Sequence, residues 1–235
     1  MKEKTIGQIV TSDMRTATVF KKYGIDFCCG GGKLVSEACE KANIKEAQIF
    51  DEIALLDIKE AVIDFDKMEL NQLVSYILEK HHGYVKNTMP IISQFANKVA
   101  KVHGHSRVET IEIASLFNEL SNELEQHILK EERILFPNII ELESRSKDKK
   151  VMSFPFGSIS NPINMMESEH DYAGYIYEKI EILSDDFTPP DHACNTYRAL
   201  YHHLKEFRDD LHIHIHLENN ILFPKAIELE NRINS

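Results

Sequence analysis

The spacing of apolar residues indicates helices along most of the chain, and no stretch shows the alternation that is typical of a strand. After residue 69 the apolar positions recur at the spacing of one helix face: Leu70, Leu73, Val74, Ile77 and Leu78. Breaks at 102–106, 144–162 and 184–190 divide the following sequence into four long amphipathic segments. Because such segments bury their apolar faces against one another, we predict an all-α protein built on an antiparallel four-helix bundle.

The first sixty residues follow a different pattern. Thr11-Ser12-Asp13 is a helix N-cap sequence, Tyr23-Gly24 is a helix end, and a further helix is predicted to begin near Lys33. We therefore predict two domains. A small helical domain at 1–62 contains a pair of adjacent cysteines, and the four-helix bundle occupies 63–235.

The bundle sequence contains an internal repeat at an offset of 87 residues. The segment that runs from His127 to Pro137, HILKEERILFP, recurs from His214 to Pro224 as HIHLENNILFP. Over residues 127–145, twelve of nineteen positions are identical to their counterparts at this offset. A match of this extent indicates the duplication of a helix pair.

Each copy of the repeat carries a histidine and, four residues later, a glutamate. Side chains at i and i+4 stand on the same face of a helix, so His127 lies beside Glu131, and His214 lies beside Glu218. Apolar neighbours place this face in the interior, where a carboxylate is costly unless it is paired or binds a metal. The two copies therefore predict a two-metal carboxylate site inside the bundle.

The other two bundle helices each offer a further imidazole. His82 and His170 lie 88 residues apart in the sequence. His81 points about 100° away around its helix, so only one of the two neighbouring histidines is expected to face the metal, and we choose His82. Four imidazoles and two carboxylates without a thiolate favour iron over manganese or zinc. With an oxo or hydroxo bridge between two iron ions, about one coordination position stays open on each.

Three carboxylates are candidates for contacts behind these ligands. Glu123 and Asp210 obey the 87-residue offset, and each precedes the histidine of its repeat by four residues. Metal-bound histidines usually donate their second ring nitrogen to a carboxylate or a carbonyl. Glu123 and Asp210 are candidates for that role, or for lining a polar access path together with Glu169. The alternative is that they are exposed carboxylates in surface salt bridges.

The Cys28-Cys29 pair precedes a run of three glycines, Gly30-Gly31-Gly32. We predict that this turn enters a helix, so that the helix dipole lowers the pKa of the thiols. Adjacent cysteines form only a strained disulfide. Thiolate redox chemistry, transient metal binding and a mixed disulfide with a partner are the functional alternatives, and two small buried residues in a turn are the structural one.

Composition and charge limit the classes of partner and the cellular compartment that we expect. The chain has 235 residues and a formal net charge of −11, which argues against nucleic acid or an anionic membrane as a partner. Twelve histidines are unusually many for this length, whereas four cysteines are too few for a disulfide framework. Because we find no export signal and no long apolar run, we expect a cytoplasmic protein.

Three motifs resemble the repair-of-iron-centres family: Phe27-Cys28-Cys29-Gly30-Gly31, Glu-Ser-Glu-His at 167–170, and the two His-x-x-x-Glu-x-x-Ile-Leu-Phe-Pro segments. The resemblance covers nearly the whole chain and implies a cysteine-bearing N-terminal domain joined to a hemerythrin-like bundle. It also implies a non-haem di-iron site with four histidines and two bridging glutamates: His82, His127, His170, His214, Glu131 and Glu218. The third glycine, Gly32, departs from the pair that is more frequent in the family.

The resemblance further implies a stress protein that restores iron–sulfur clusters damaged by nitric oxide or peroxide, by supplying iron. We therefore expect damaged or apo iron–sulfur proteins as partners, with Cys28 and Cys29 as docking or relay thiols. Two alternatives stay open: reduction of nitric oxide at the paired irons, and binding or sensing of dioxygen as in hemerythrins. The sequence also leaves open whether the chain forms a homodimer.

Overall fold

The computed structural model describes residues 4–56, 63–147 and 154–234. In these ranges the chain forms helices and no strand, and extended pairing is limited to isolated bridges such as that between Thr5 and Leu34. The predicted all-α class is confirmed. The predicted domain boundary after residue 62 falls outside the described residues and stays a prediction.

Four short helices lie in the described N-terminal residues: α1 (Ile6–Ser12), α2 (Thr16–Lys22), α3 (Val35–Ala42) and α4 (Glu46–Ala54). Thr5 caps α1, since its hydroxyl accepts the N–H of Gln8 at 3.2 Å and the Gln8 side chain accepts the N–H of Thr5 at 3.0 Å. The sequence predicted one helix after an N-cap at 11–13. In the structure, Thr11 and Ser12 are instead the last residues of α1, α2 begins at Thr16, and Asp13 accepts the N–H of Arg15 at the break between the two helices.

Further helices follow, all but α5 longer than those before: α5 (Leu70–Tyr76), α6 (Gly83–His103), α7 (Glu109–Lys130), α8 (Phe136–Lys147), α9 (Ser160–Leu183), α10 (Asn195–Leu217) and α11 (Phe223–Asn234). A 3₁₀ turn at Phe65–Lys67 precedes α5. Turns of π-helix at Ile77–His82, Glu131–Leu135 and Glu218–Leu222 join α5 to α6, α7 to α8 and α10 to α11. Across the described ranges, no helix has both the length and the apolar character that a membrane span requires.

The chain divides into two compact units. The first unit comprises Met1–Val74, Ile139–Ser158 and His212–Ser235, and the second comprises Ser75–Asn138 and Ile159–Leu211. The first unit therefore combines the N-terminal helices with segments from later in the chain.

Four helices meet around Phe207 in the second unit. Phe207 of α10 is fully buried, and its ring contacts one aromatic ring on each of the other helices. The partners are Tyr84 of α6, Phe117 of α7 and Tyr177 of α9, at centroid distances of 6.1, 5.7 and 6.0 Å. This aromatic cluster is the centre of the core that joins the four helices.

The helices of the second unit run antiparallel. Along α6 and α10, Tyr84 contacts Phe207, whereas His103 at the other end of α6 contacts Tyr197 near the start of α10. Along α6 and α7, Asn97 accepts a hydrogen bond from Asn118 at 3.0 Å across the hairpin. The predicted antiparallel helical bundle is therefore confirmed.

The first unit joins the N-terminal helices to later segments of the chain. Helix α1 packs against the 3₁₀ turn that precedes α5 and against the π-turn Glu218–Leu222. Glu143 of α8 accepts the N–H of Leu70 at 2.7 Å, which satisfies a backbone donor at the start of α5. Ser158 donates to the buried Glu230 of α11 at 2.7 Å.

The aromatic cluster makes a stability prediction. Phe207→Ala removes the ring that all three partners contact, so we expect the free energy of unfolding in urea to fall by about 3–5 kcal/mol. Val108→Ala at the exposed start of α7 is the control and should change it by less than about 0.5 kcal/mol. Equal effects of the two substitutions would contradict the central position of Phe207.

Candidate metal centre

Glu131 is the centre of a buried polar cluster in the second unit. Its side chain is 0% exposed, and its Oε2 atom lies 3.3 Å from Nε2 of His82 and 3.3 Å from Nε2 of His127. His170 of α9 adds a third imidazole, since its Nε2 atom lies 3.0 Å from Nε2 of His127. Ligand atoms of His127, Glu131 and His170 lie within 4.8 Å of one another. The structure therefore brings four of the six predicted ligands together in this unit.

Two carboxylates form hydrogen bonds with the Nδ1 atoms of imidazoles in this cluster. Nδ1 of His82 donates to Glu132 at 2.9 Å, and Nδ1 of His127 donates to Glu169 at 2.8 Å. A neutral ring that donates its Nδ1 proton keeps the lone pair of Nε2, and in both rings the Nε2 atom faces Glu131. Proteins orient metal-bound histidines in this way.

Each of these two carboxylates also contacts a lysine. Lys86 donates to Glu132 at 2.6 Å, and Lys130 donates to Glu169. The hydrogen bond from His127, followed by that from Lys130, lowers the pKa of Glu169 to about 2. Burial opposes ionisation of Glu132, but hydrogen bonds from Lys86 and His82 still lower its pKa below the usual value. Both carboxylates are therefore ionised at neutral pH and act as acceptors.

The second repeat forms an equivalent pair in the first unit. Nε2 of His214 lies 3.0 Å from Oε1 of Glu218, and both side chains are buried. In the first repeat the corresponding atoms of His127 and Glu131 lie 3.3 Å apart. The duplicated sequence therefore forms the same local structure in both copies.

A turn of π-helix begins at each of the two glutamates. The N–H of Phe136 donates to the carbonyl of Glu131, and the N–H of Phe223 donates to the carbonyl of Glu218, five residues back instead of four. A proline follows each phenylalanine, and because proline has no N–H it interrupts the regular ladder of a helix. The sequence signal for these turns is the proline six residues after each glutamate, which is typical of a helix kink.

A third π-turn, Ile77–His82, buries both neighbouring histidines. His82 faces Glu131, while Nδ1 of His81 lies 2.9 Å from Oδ1 of Asp210. The two side chains therefore have different partners, although both are buried. Asp210 was a candidate for contact with His214, and the structure places it beside His81 instead.

The carboxylate in contact with His127 is Glu169, whereas Glu123 is exposed on α7. Both glutamates line a surface cavity of about 390 Å³ that reaches His127. Glu132, which contacts His82, was missed by sequence analysis. Its position in the second repeat is occupied by Asn219, so the repeat gave no signal for it.

The cysteine turn differs from the prediction. Helix α3 begins at Val35, so Cys28 and Cys29 do not lie at a helix N-terminus. A hydrogen bond with Cys29, burial and the carboxylate of Asp26 raise the pKa of the Cys28 thiol well above its usual range. The predicted lowering of this pKa by a helix dipole is therefore wrong for Cys28. Both cysteines are free thiols.

The residues around Glu131 fit a transition-metal ion. A fully buried carboxylate requires compensation by positive charge, and the Nε2 atoms of His82 and His127 that face it are donors of the type that binds transition metals. Imidazole nitrogen together with carboxylate oxygen suits iron, manganese or zinc. The His214–Glu218 pair offers the same two donor types.

Comparison with known families defines the class of the protein. Residues 73–226 match the family described as hemerythrin HHE cation binding domain. Residues 2–57 match a second family, described as domain of unknown function (DUF542). The chain is therefore a helical protein with a cation-binding domain of the hemerythrin type.

The chain belongs to the family of iron–sulfur cluster repair proteins. It is 35% identical to iron-sulfur cluster repair protein YtfE of Musicola paradisiaca, over 97% of this chain and 98% of that protein. It is 34% identical to proteins of the same name from Yersinia pestis and Yersinia pseudotuberculosis, over 97% of this chain and 99% of each relative. The family resemblance inferred from the motifs is confirmed.

The contact between Glu169 and His127 can be tested against the exposed Glu123. Glu169→Gln removes the charge that orients the His127 ring, so the affinity for ferrous iron should fall by about 10- to 100-fold. Glu123→Gln is the control and should leave the affinity unchanged. Anaerobic titration against a chelator of known affinity measures both, and a larger loss in Glu123→Gln would contradict the assignment.

Proposed function

We propose that this protein repairs damaged iron–sulfur clusters and that a di-iron centre inside the bundle is its source of iron. The observation that carries the proposal is the burial of Glu131 between the Nε2 atoms of His82 and His127, each ring being held from behind by a carboxylate. Membership of the repair-protein family, whose relatives carry this function in their names, supports the same function.

The proposed ligands are the six predicted from the sequence: His82, His127, His170, His214, Glu131 and Glu218. Duplication of the His-x-x-x-Glu segment supports a site with two ions, because each copy supplies one imidazole and one carboxylate. The remaining two histidines complete two nitrogens for each ion. We propose two non-haem iron ions with an oxo or hydroxo bridge, which supply redox chemistry and an open coordination position when bound.

In this proposal the bound iron is transferred to another protein. Carboxylates and imidazoles hold ferrous iron less firmly than thiolates do, so iron is expected to pass from this site to the cysteine ligands of an apo-cluster. Glu132 and Glu169 keep the Nδ1 protons of His82 and His127 in place, so these rings bind through Nε2. The cavity lined by Glu123 and Glu169 supports a path between His127 and the surface.

The acceptor is proposed to be a damaged or apo iron–sulfur protein, with Cys28 and Cys29 as docking or relay thiols. We place the reaction in the cytoplasm, where thiols stay reduced. Nitric oxide or dioxygen is the proposed small ligand of the centre. Assembly as a homodimer stays a prediction.

Metal content tests the centre itself. Protein purified without oxygen and loaded with ferrous iron should contain about two iron ions per chain, and Mössbauer spectra should show a coupled pair. Glu131→Gln and Glu218→Gln should each lower the content to about one ion or less, because each removes a carboxylate shared by the pair. Glu141→Gln, an exposed residue of α8, is the control. A wild-type chain that holds no transition metal would exclude the proposal.

Cluster repair is tested with an enzyme whose iron–sulfur cluster has been destroyed by nitric oxide, with inorganic sulfide and a thiol reductant present in every arm. We expect the iron-loaded protein to restore its activity faster than an equal amount of ferrous salt. Recovery no better than with the salt would reject iron donation. Anaerobic gas analysis of the same protein with nitric oxide and a reductant separates the alternative, because catalytic formation of nitrous oxide would favour a reductase.

A further inference from the structure

The turn that carries Cys28 is closed against the end of α10 in the first unit. Nδ2 of Asn220 donates to the carbonyl of Cys28 at 2.8 Å, and Nδ1 of His216 donates to the carbonyl of Phe27 at 3.1 Å. The Phe27 ring lies edge-on to His212 at a centroid distance of 5.9 Å. Three residues of one helical segment therefore hold two consecutive residues of the turn.

These three residues form a stripe that only the second repeat possesses. His212, His216 and Asn220 are spaced by four and share a face, about 200° around the helix from the face of His214. At the offset of 87 residues, the first repeat has Glu125, Leu129 and Arg133 at these positions. The histidine–glutamate face is common to both repeats, whereas the stripe is found only in the second. The contacts of the stripe with the cysteine turn are therefore specific to the second copy.

Two glycines allow the cysteine turn to lie close to Asn220. A Cβ atom on Gly7 or on Gly31 would lie 2.4 Å from Oδ1 of Asn220, and on Gly31 it would also lie 2.7 Å from the carbonyl of Phe27. The N–H of Gly7 donates to the carbonyl of Gly31 at 2.7 Å. The neighbouring Gly32 has open space at its Cβ position. The fit therefore depends on Gly31, and the additional glycine of this chain is not needed for it.

In the closed turn the thiol of Cys28 is shielded. Its residue is 6% exposed, and Sγ donates to Oδ1 of Asp26 at 3.1 Å. A buried thiol that keeps its proton is a poor nucleophile and a poor metal ligand. Relay of iron or electrons through Cys28 therefore requires the turn to open.

We propose that His216 and Asn220 form a latch that holds the cysteine turn closed, and that Cys28 becomes reactive only when this latch opens. The latch shares its structure with a proposed metal ligand, because Asn220 belongs to the π-turn that begins at Glu218. Loss of the ion leaves the buried Glu218 carboxylate without compensation of its charge, and the π-turn links any movement of Glu218 to Asn220. Departure of iron thus exposes the thiol, a step that rests on the proposed di-iron centre.

Alkylation of the individual cysteines tests the latch. With iodoacetamide and peptide fragmentation to separate adjacent sites, Cys28 of the iron-loaded protein should react far more slowly than the exposed Cys194. Gly31→Ala should accelerate Cys28 by about tenfold or more, because the added methyl group displaces the turn from Asn220. Gly32→Ala is the matched control and should leave the rate within about twofold.

A second variant guards against general unfolding. Asn220→Asp keeps the size of the side chain but replaces the donor with an acceptor, so it should accelerate Cys28 as Gly31→Ala does. The buried Cys39 must stay slow in both variants, which shows that the N-terminal helices remain folded. If Cys28 reacts as fast as Cys194 in the wild type, or if Gly31→Ala and Asn220→Asp both match Gly32→Ala, the latch is overturned.

Removal of iron tests the link to the metal. Chelation should accelerate Cys28 alkylation in the wild type by about tenfold, and Asn220→Asp should react fast with or without iron. A chain that binds iron but shows the same Cys28 rate in both states contradicts the coupling and leaves the di-iron proposal intact. A chain that binds no iron fails the proposed function instead, while the Gly31 and Gly32 pair still decides the latch.

Discussion

The cost of burying a carboxylate governs the organisation of this protein. Glu131 is fully enclosed, and an ionised carboxylate in that position is tolerated only if groups around it compensate its charge. As neutral rings the neighbouring imidazoles supply no positive charge, and their Nδ1 atoms face Glu132 and Glu169. A cation satisfies the carboxylate and the nitrogen lone pairs together, which is the physical reason for a cation-binding domain here.

The second copy of the duplicated helix has two faces with different contacts. The histidine and the glutamate occupy the same positions in both copies, because the chemistry of the donors restricts position and type. The other face of the second copy differs, and there it binds the backbone of the cysteine turn through His216 and Asn220. A π-turn begins at the carboxylate in each copy, so the backbone beside each glutamate departs from a regular helix.

Spacing arguments succeeded where a regular helix carries the residues. His127, Glu131, His214 and Glu218 were predicted from i, i+4 geometry alone, and each pair is in contact and buried. The same arguments did not identify the carboxylates that form hydrogen bonds with His82 and His127. Glu132 and Glu169 reach their histidines from other helices, so no periodicity within one segment could reveal them. The 87-residue offset pointed to Glu123 instead, which is exposed.

By itself the sequence determined the helical class and the repeat, and it predicted the paired histidines and glutamates, because these follow from periodicity along single helices. The family followed from the resemblance of its motifs. Only the tertiary structure decided which nitrogen of each imidazole faces Glu131, where the π-turns lie, and that the Cys28 thiol is buried instead of activated. Those features depend on contacts between segments far apart in the chain. Local propensity does not encode such contacts.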